Sequence, residues 1–296
     1  MKQRILSVLL CAALLLSLLS LSAGAAKQTR YLVLGDSIAY GSGLSNPKEA
    51  VWGRIVADTN SFAYENYAVP GHTTANLLRR METEAVREAI GSADIISISI
   101  DGNNFLLGNI SGLLYDGIVK EDYARFDEIA AGFYEDLSKI VDEIRGLNPN
   151  AAIVLQTLYN PQTGYVGDVY QHGADRLNAK ILEFSQAHPA GILVTDTAQA
   201  LTDSDKDFAQ DRIHPSAAGN EKIARVILQT LYDNGLGEKT EPVITTPGAD
   251  AHGTGVFTLF VSLYGRFFHL LSVIRHLFIR KKGVIIKTRR LQGSFL

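Results

Sequence analysis

The chain of 296 residues has one cysteine, Cys11, and it lies inside an apolar N-terminal stretch. The body of the protein therefore has no thiol, which excludes disulfides, cysteine nucleophiles and cysteine-based metal sites there. Leu10, just before Cys11, is too large for the small residue that precedes a lipoprotein cysteine. Acid is missing from both ends. Of 28 Lys+Arg and 31 Asp+Glu, the first 26 residues hold only Lys2 and Arg4. Residues 254–296 hold Arg266, Arg275, Arg280, Lys281, Lys282, Lys287, Arg289 and Arg290, with no acid. Residues 27–253 keep 18 basic and 31 acidic side chains, a formal charge of −13. Such an acidic body is a poor nucleic-acid binder. Internal repeats are absent as well. Apolar material is not scarce: 46% hydrophobic and 20% charged residues suffice for a core and exclude a disordered chain.

The N-terminus reads as a secretory signal: Lys2 and Arg4, an apolar run from Ile5 to Leu21, then Ala23-Gly24-Ala25. Cleavage after Ala25 or Ala26 places the protein outside the cytoplasmic membrane, and an uncleaved anchor is the alternative. The expected organisation is a signal over 1–26, one domain over 27–234, a Gly/Pro/Thr-rich linker over 235–254, and a basic C-terminal segment over 255–296.

Within 27–234 short apolar runs alternate with amphipathic stretches. Strands are expected at Tyr31–Leu34, Phe62–Ala68, Asp94–Ile100, Ala151–Leu155 and Ile192–Thr195. Helices are expected from Thr73 or Thr74 to about Ile90, and over Glu121–Leu147, Asp168–Gln186 and Ser216–Asn234. This alternation predicts an α/β fold with a parallel sheet and helices on both faces. Ligands of such sheets bind beyond the carboxyl ends of the strands.

Gly35-Asp36-Ser37 follows the first strand, at that edge. A serine hydroxyl is a poor nucleophile until a neighbouring base takes its proton. His214 is the candidate base, and Asp211, three residues earlier, is close enough to turn back onto its imidazole. Two further loops follow strands. Gly71, in Asn66–Thr73, brings a backbone N–H near a ligand without steric hindrance. Asn103, in Asp101-Gly102-Asn103-Asn104, offers an uncharged amide to a developing oxyanion.

These blocks, in this order, resemble the SGNH/GDSL hydrolases, the family of GDSL-like lipases and acylhydrolases. The resemblance covers residues 31–214. It implies a flavodoxin-like three-layer α/β/α sandwich on a five-stranded parallel sheet of order 2-1-3-4-5. It implies Ser37, His214 and Asp211 as the catalytic set, and an oxyanion hole from the Ser37 and Gly71 N–H groups and the Asn103 side chain. No metal or organic cofactor is implied. The third block departs from the family's Gly-x-Asn-Asp, because Asp101 replaces the glycine and Asn104 the aspartate. A charged Asp101 would oppose an oxyanion unless it pointed away or were paired.

The resemblance implies an ester hydrolase acting on a lipid or polysaccharide ester. A non-catalytic surface protein that binds glycan or lipid in the same cleft is the competing reading. Trp52, Tyr40 and His72 are candidates for substrate contact, with packing or a solvated loop as the alternative. Leu106–Ile118 is read as a wall or lid for an acyl chain, or as a packed loop. In the tail, Thr258, Ser262, Arg266, His269, Ser272, His276 and Arg280 form one helical stripe on an otherwise apolar segment that ends in Arg280-Lys281-Lys282. Contact of 255–282 with a membrane interface follows; a spanning helix or a helix docked on the domain are the alternatives.

Overall fold

The computed structural model describes residues 27–251, 263–273 and 276. The expected signal over 1–26 and most of the expected C-terminal segment lie outside the described residues. Five parallel strands form one sheet in the order β2-β1-β3-β4-β5: β1 (Arg30–Gly35), β2 (Ala63–Asn66), β3 (Ile95–Ser99), β4 (Ala152–Gln156) and β5 (Ile192–Thr195). The central strands are buried on both faces, as in β3, where all five residues are buried. Continuous runs such as Tyr31-Leu32-Val33-Leu34 in β1 therefore do not alternate with polar residues. Tyr31 pairs with Ile95 and Leu34 with Ile98, so β1 and β3 end side by side at Gly35 and Ser99.

Helices cover both faces. In chain order they are α1 (Ser37–Tyr40), α2 (Pro47–Ala50), α3 (Trp52–Asn60), α4 (Thr74–Met81), α5 (Glu84–Ser92), α6 (Asn103–Tyr115), α7 (Ala124–Leu147), α8 (Gly164–Ala187), α9 (Thr197–Ala200) and α10 (Ala217–Asp233). A helical segment over 263–273 is named α11. α3 packs with α10 on one face, and α4, α5, α7 and α8 pack together on the other. The architecture is the expected three-layer α/β/α sandwich.

Three expectations change. The single helix to about Ile90 is two helices, because Thr83 is extended (φ −72°, ψ 141°) and its hydroxyl donates to the Arg80 carbonyl. Residues 106–118 are helical: they belong to α6 and to a π-helical turn over Asp116–Lys120, with one non-helical residue at Asn109. Residues 235–251 are not a free linker but a strap along the domain surface. The Glu238 and Lys239 N–H groups donate to Asn60 Oδ1, Val243 N–H donates to Thr59, and Asn46 bonds both Pro247 and Ala249. Gly and Pro deny this stretch regular structure, so its backbone groups bond to side chains of α2, α3 and their connecting loops instead.

Candidate active site

The turn that presents Ser37 is built by its neighbours. Gly35 ends β1 at φ +148°, and a Cβ there would fall 2.1 Å from the Ser99 carbonyl oxygen, so only glycine lets the chain leave this close to β3. Asp36 is buried. Its carboxylate accepts the Ile38 N–H at 2.9 Å, and its own N–H donates to Ser99 O at 3.0 Å. Ser37 then opens α1, half-buried. Trp52 is buried in α3 and donates its indole N–H to the Ile38 carbonyl at 3.2 Å, so it supports this turn from below. Tyr40 is exposed and lines a separate depression with Pro47 and Tyr64.

The Asp211–His214 segment folds back because Arg212 takes the left-handed conformation (φ +56°), uncommon for a residue with a side chain. Asp211 Oδ1 accepts the N–H groups of Ile213 (2.9 Å) and His214 (3.0 Å), and Oδ2 lies 2.6 Å from His214 Nδ1. Burial alone would raise the Asp211 pKa. The bonds from the His214 ring and the two backbone N–H groups outweigh it and hold the carboxyl below its ordinary range. An ionised acceptor on Nδ1 puts the ring proton there and leaves Nε2 as the basic nitrogen. The segment is held by Ala209 N–H to His214 O (2.9 Å), Tyr159 hydroxyl to Ile213 O (3.0 Å), and Ser216, whose hydroxyl caps α10 at Gly219.

Gly71 has φ +80° and stands at the surface. The N–H groups of Ser37 and Gly71 donate to no other group among the described residues. Asn103 Nδ2 donates to the His72 carbonyl at 2.9 Å and, at a long 3.4 Å, to Asp36 Oδ2. His72 thus enters the site through its backbone. Asn104 ties α6 to α4: it accepts the Thr74 N–H (3.2 Å) and donates to the Thr74 hydroxyl (2.8 Å). Asp101 is buried and accepts the Gly102 N–H at 2.8 Å. Burial, and then the neighbouring Asp36, push its pKa well up, which favours the uncharged carboxyl. Asp101 lines a separate buried pocket with Phe133, Leu137 and Ile181.

Ser37, Gly71, Asn103 and His214 line one cleft of about 280 Å³, with Leu106, Leu107 and Tyr170 as apolar walls and Asp211 behind His214. Residues from four loops meet there, at the carboxyl end of the sheet. Sequence reasoning missed Gly43. A Cβ on it would come 2.3 Å from the Pro215 oxygen and 3.0 Å from His214 Cβ, so the loop after α1 presses directly on the segment that carries the base. Glycine at that position was the only trace of this in the sequence. Among the described residues no cluster of three His, Cys, Asp or Glu could hold a metal ion.

Residues 33–222 match the model of the GDSL-like lipase/acylhydrolase family. The chain is 26% identical over 214 residues to the spore germination lipase LipC of Bacillus licheniformis, covering 69% of this chain and 96% of that protein. It is 25% identical over 218 residues to the protein YpmR of Bacillus subtilis, covering 69% of this chain and 81% of that protein. Among solved structures it resembles the lipase Lip_vut3 from a goat rumen metagenome (TM-score 0.56, 22% identity), over 71% of this chain and 99% of the other.

Proposed function

Because the chain belongs to the GDSL-like lipase/acylhydrolase family, we propose that it is an exported serine hydrolase that cleaves a carboxylic ester through an acyl-enzyme on Ser37. The observation that carries this reading is the Asp211–His214 pair, with a 2.6 Å contact on Nδ1, facing the cleft that Ser37 also lines. His214 Nε2 takes the Ser37 proton as the hydroxyl oxygen attacks the ester carbonyl, and Asp211 stabilises the imidazolium that forms. The protonated ring then gives its proton to the leaving alkoxide. Water, deprotonated by the same nitrogen, attacks the acyl-enzyme and releases the acid.

The carbonyl oxygen becomes an oxyanion in both steps. The uncommitted N–H groups of Ser37 and Gly71 are suited to receive it, and donors of this kind are worth about 10²–10³ in rate each. Asn103 supplies the third donor by giving up its long contact to Asp36 when the oxyanion forms, a tightening common between free and reacting enzymes. Residues 1–26 serve as the export leader and residues 27–234 as the hydrolase domain.

The test uses protein recovered from the medium of an expressing host, where an N-terminus at Ala26 or Lys27 is expected. Ser37→Ala should lower turnover of a soluble p-nitrophenyl ester by at least about 10³-fold, abolish labelling by a fluorophosphonate and leave the thermal midpoint unchanged. Retained turnover in that variant would overturn the mechanism.

A further inference from the structure

α11 is seated on the domain by one side only. Phe268 is buried, with its ring centroid 5.6 Å from those of Tyr115 and Tyr264. His269 stacks on Tyr165 at 3.6 Å. Gly265 lies so close to α8 that a Cβ there would come within 2.3 Å of Val166. His276 continues this side, with Nε2 3.3 Å from Glu121. Two residues of the polar stripe, His269 and His276, thus meet the protein.

The other side carries Leu263, Phe267, Leu270 and Val273, spaced by 4, 3 and 3 along one helical stripe. They are 56%, 56%, 57% and 42% exposed. Eleven large hydrophobic side chains are exposed among the described residues, and these four fall within eleven consecutive positions. That density distinguishes the stripe from the single exposed apolar residues normal on protein surfaces.

Charge indicates what covers it. No acidic residue follows Asp250, and the sequence beyond α11 adds Arg275, Arg280, Lys281, Lys282, Lys287, Arg289 and Arg290. The body, at a formal charge of −13, is repelled as a whole by an anionic surface, and the basic C-terminal segment is the part of the sequence that offsets this. An apolar stripe that continues into a cationic chain matches a bilayer with anionic headgroups, where each signal alone binds weakly and the two together bind firmly. No described helix is long and apolar enough to cross a membrane. Seated on the domain through Phe268 and His269, α11 presents its outward stripe along its length, as a helix lying in the plane of an interface does. It also stands beside the base-bearing segment: Gly265 and Arg266 share a depression of about 490 Å³ with Arg212.

We propose that α11 docks the protein on an anionic lipid surface, with Leu263, Phe267, Leu270 and Val273 buried among the headgroups and the basic chain on the lipid phosphates. The cleft then works beside the bilayer, and its ester is one carried by a lipid. That last step rests on the hydrolase reading above; the docking does not.

The test is flotation of the full chain, carrying Ser37→Ala to prevent hydrolysis, with vesicles of phosphatidylcholine alone or mixed with phosphatidylglycerol. The protein should float with the anionic vesicles and stay behind with the neutral ones. Phe267→Glu with Leu270→Glu should weaken the apparent lipid affinity about tenfold or more. So should Arg280→Gln, Lys281→Gln and Lys282→Gln together, which leave the outward stripe untouched. In the Ser37 background neither set should alter turnover of a soluble short-chain ester. Absence of flotation with anionic vesicles, or equal flotation of the glutamate variant, would overturn the proposal. So would a lipid-independent dimer that the glutamate variant dissolves, since the stripe would then belong to a second copy. Because binding is read without turnover, a failed hydrolase assay and a failed docking assay are separate results.

Discussion

At the residue scale, Asp36, which lines the cleft, and Asp101, which lies in a separate buried pocket, are two buried carboxyls near enough to repel one another. Burial raises Asp36 to about 7, and burial followed by the proximity of Asp36 raises Asp101 further. A carboxyl whose folded pKa lies above its unfolded value holds a proton in the native state that the unfolded chain releases. Its contribution to stability is therefore complete below the unfolded value of 3.8 and is lost as pH rises through the folded value. For Asp36 that window runs from about pH 4 to pH 7, at up to about 1.4 kcal/mol per pH unit. Asp101→Asn removes one of the two titrations and keeps an uncharged, isosteric group. The variant should match the wild type near pH 4 and exceed it in thermal midpoint at pH 8. Melting curves across that range check this, and parallel pH profiles for the two proteins would contradict it. The altered third block stays compatible with an oxyanion because Asp101 lines a separate buried pocket rather than the cleft, and burial favours its uncharged form.

At the scale of elements, the site depends on how closely the loop after α1 meets the loop before α10. Gly43 marks the closest approach, since a Cβ there would run into the Pro215 oxygen and His214 Cβ. Gly43→Ala should push the base away from Ser37. A displacement of about 1 Å lowers turnover by roughly 10²-fold, so kcat should fall by that order while KM changes little and the protein remains folded. Ester kinetics at saturating substrate decide it; an unchanged kcat would show that the loops yield without moving His214. α4 to α6 illustrate the limits of periodicity. The apolar stripe from Thr74 to Ile90 continues across Thr83, so it hides the break that the Thr83 backbone makes. Gly108 and Gly112 disguise α6 as a loop, yet this helix carries Asn103 and the Leu106 and Leu107 walls.

At the scale of the molecule, the strap over 235–251 closes the domain. Its far end reaches both halves of the site: the Ala251 N–H donates to the Gly43 carbonyl at 2.9 Å, and Asp250 Oδ1 accepts the Ala217 N–H at 2.7 Å. Its near end is fixed by Asn60 and Thr59 of α3. Each such bond adds about 1 kcal/mol net, offset by the ordering of the chain. Ending the chain after Leu236 should therefore lower the thermal midpoint by several degrees, about 5 °C, and lower ester turnover beyond what the stability loss explains. Ending it after Ala251 should leave both near wild type. Calorimetry and turnover of the two truncations, measured side by side, test this; equal midpoints would make the strap a passive covering.

What the sequence alone determined is what depends on local chemistry. The three central strands, β1, β3 and β4, announce themselves as short runs rich in apolar residues, because they are enclosed on both faces. Ser37, Gly71, Asn103 and the Asp211–His214 pair stand out because each sits in a short block directly after a strand or before a helix, where backbone geometry fixes the side chain. The tertiary structure alone decided the rest: that Asp101 is buried beside Asp36, that Gly43 abuts the base, that residues 235–251 are a strap, and that α11 turns Phe268 and His269 inward and Leu263, Phe267, Leu270 and Val273 outward. Each of these depends on a partner far away in the chain. Burial, close contact and the choice of a helix's facing side are relations between segments, and no window of consecutive residues contains them.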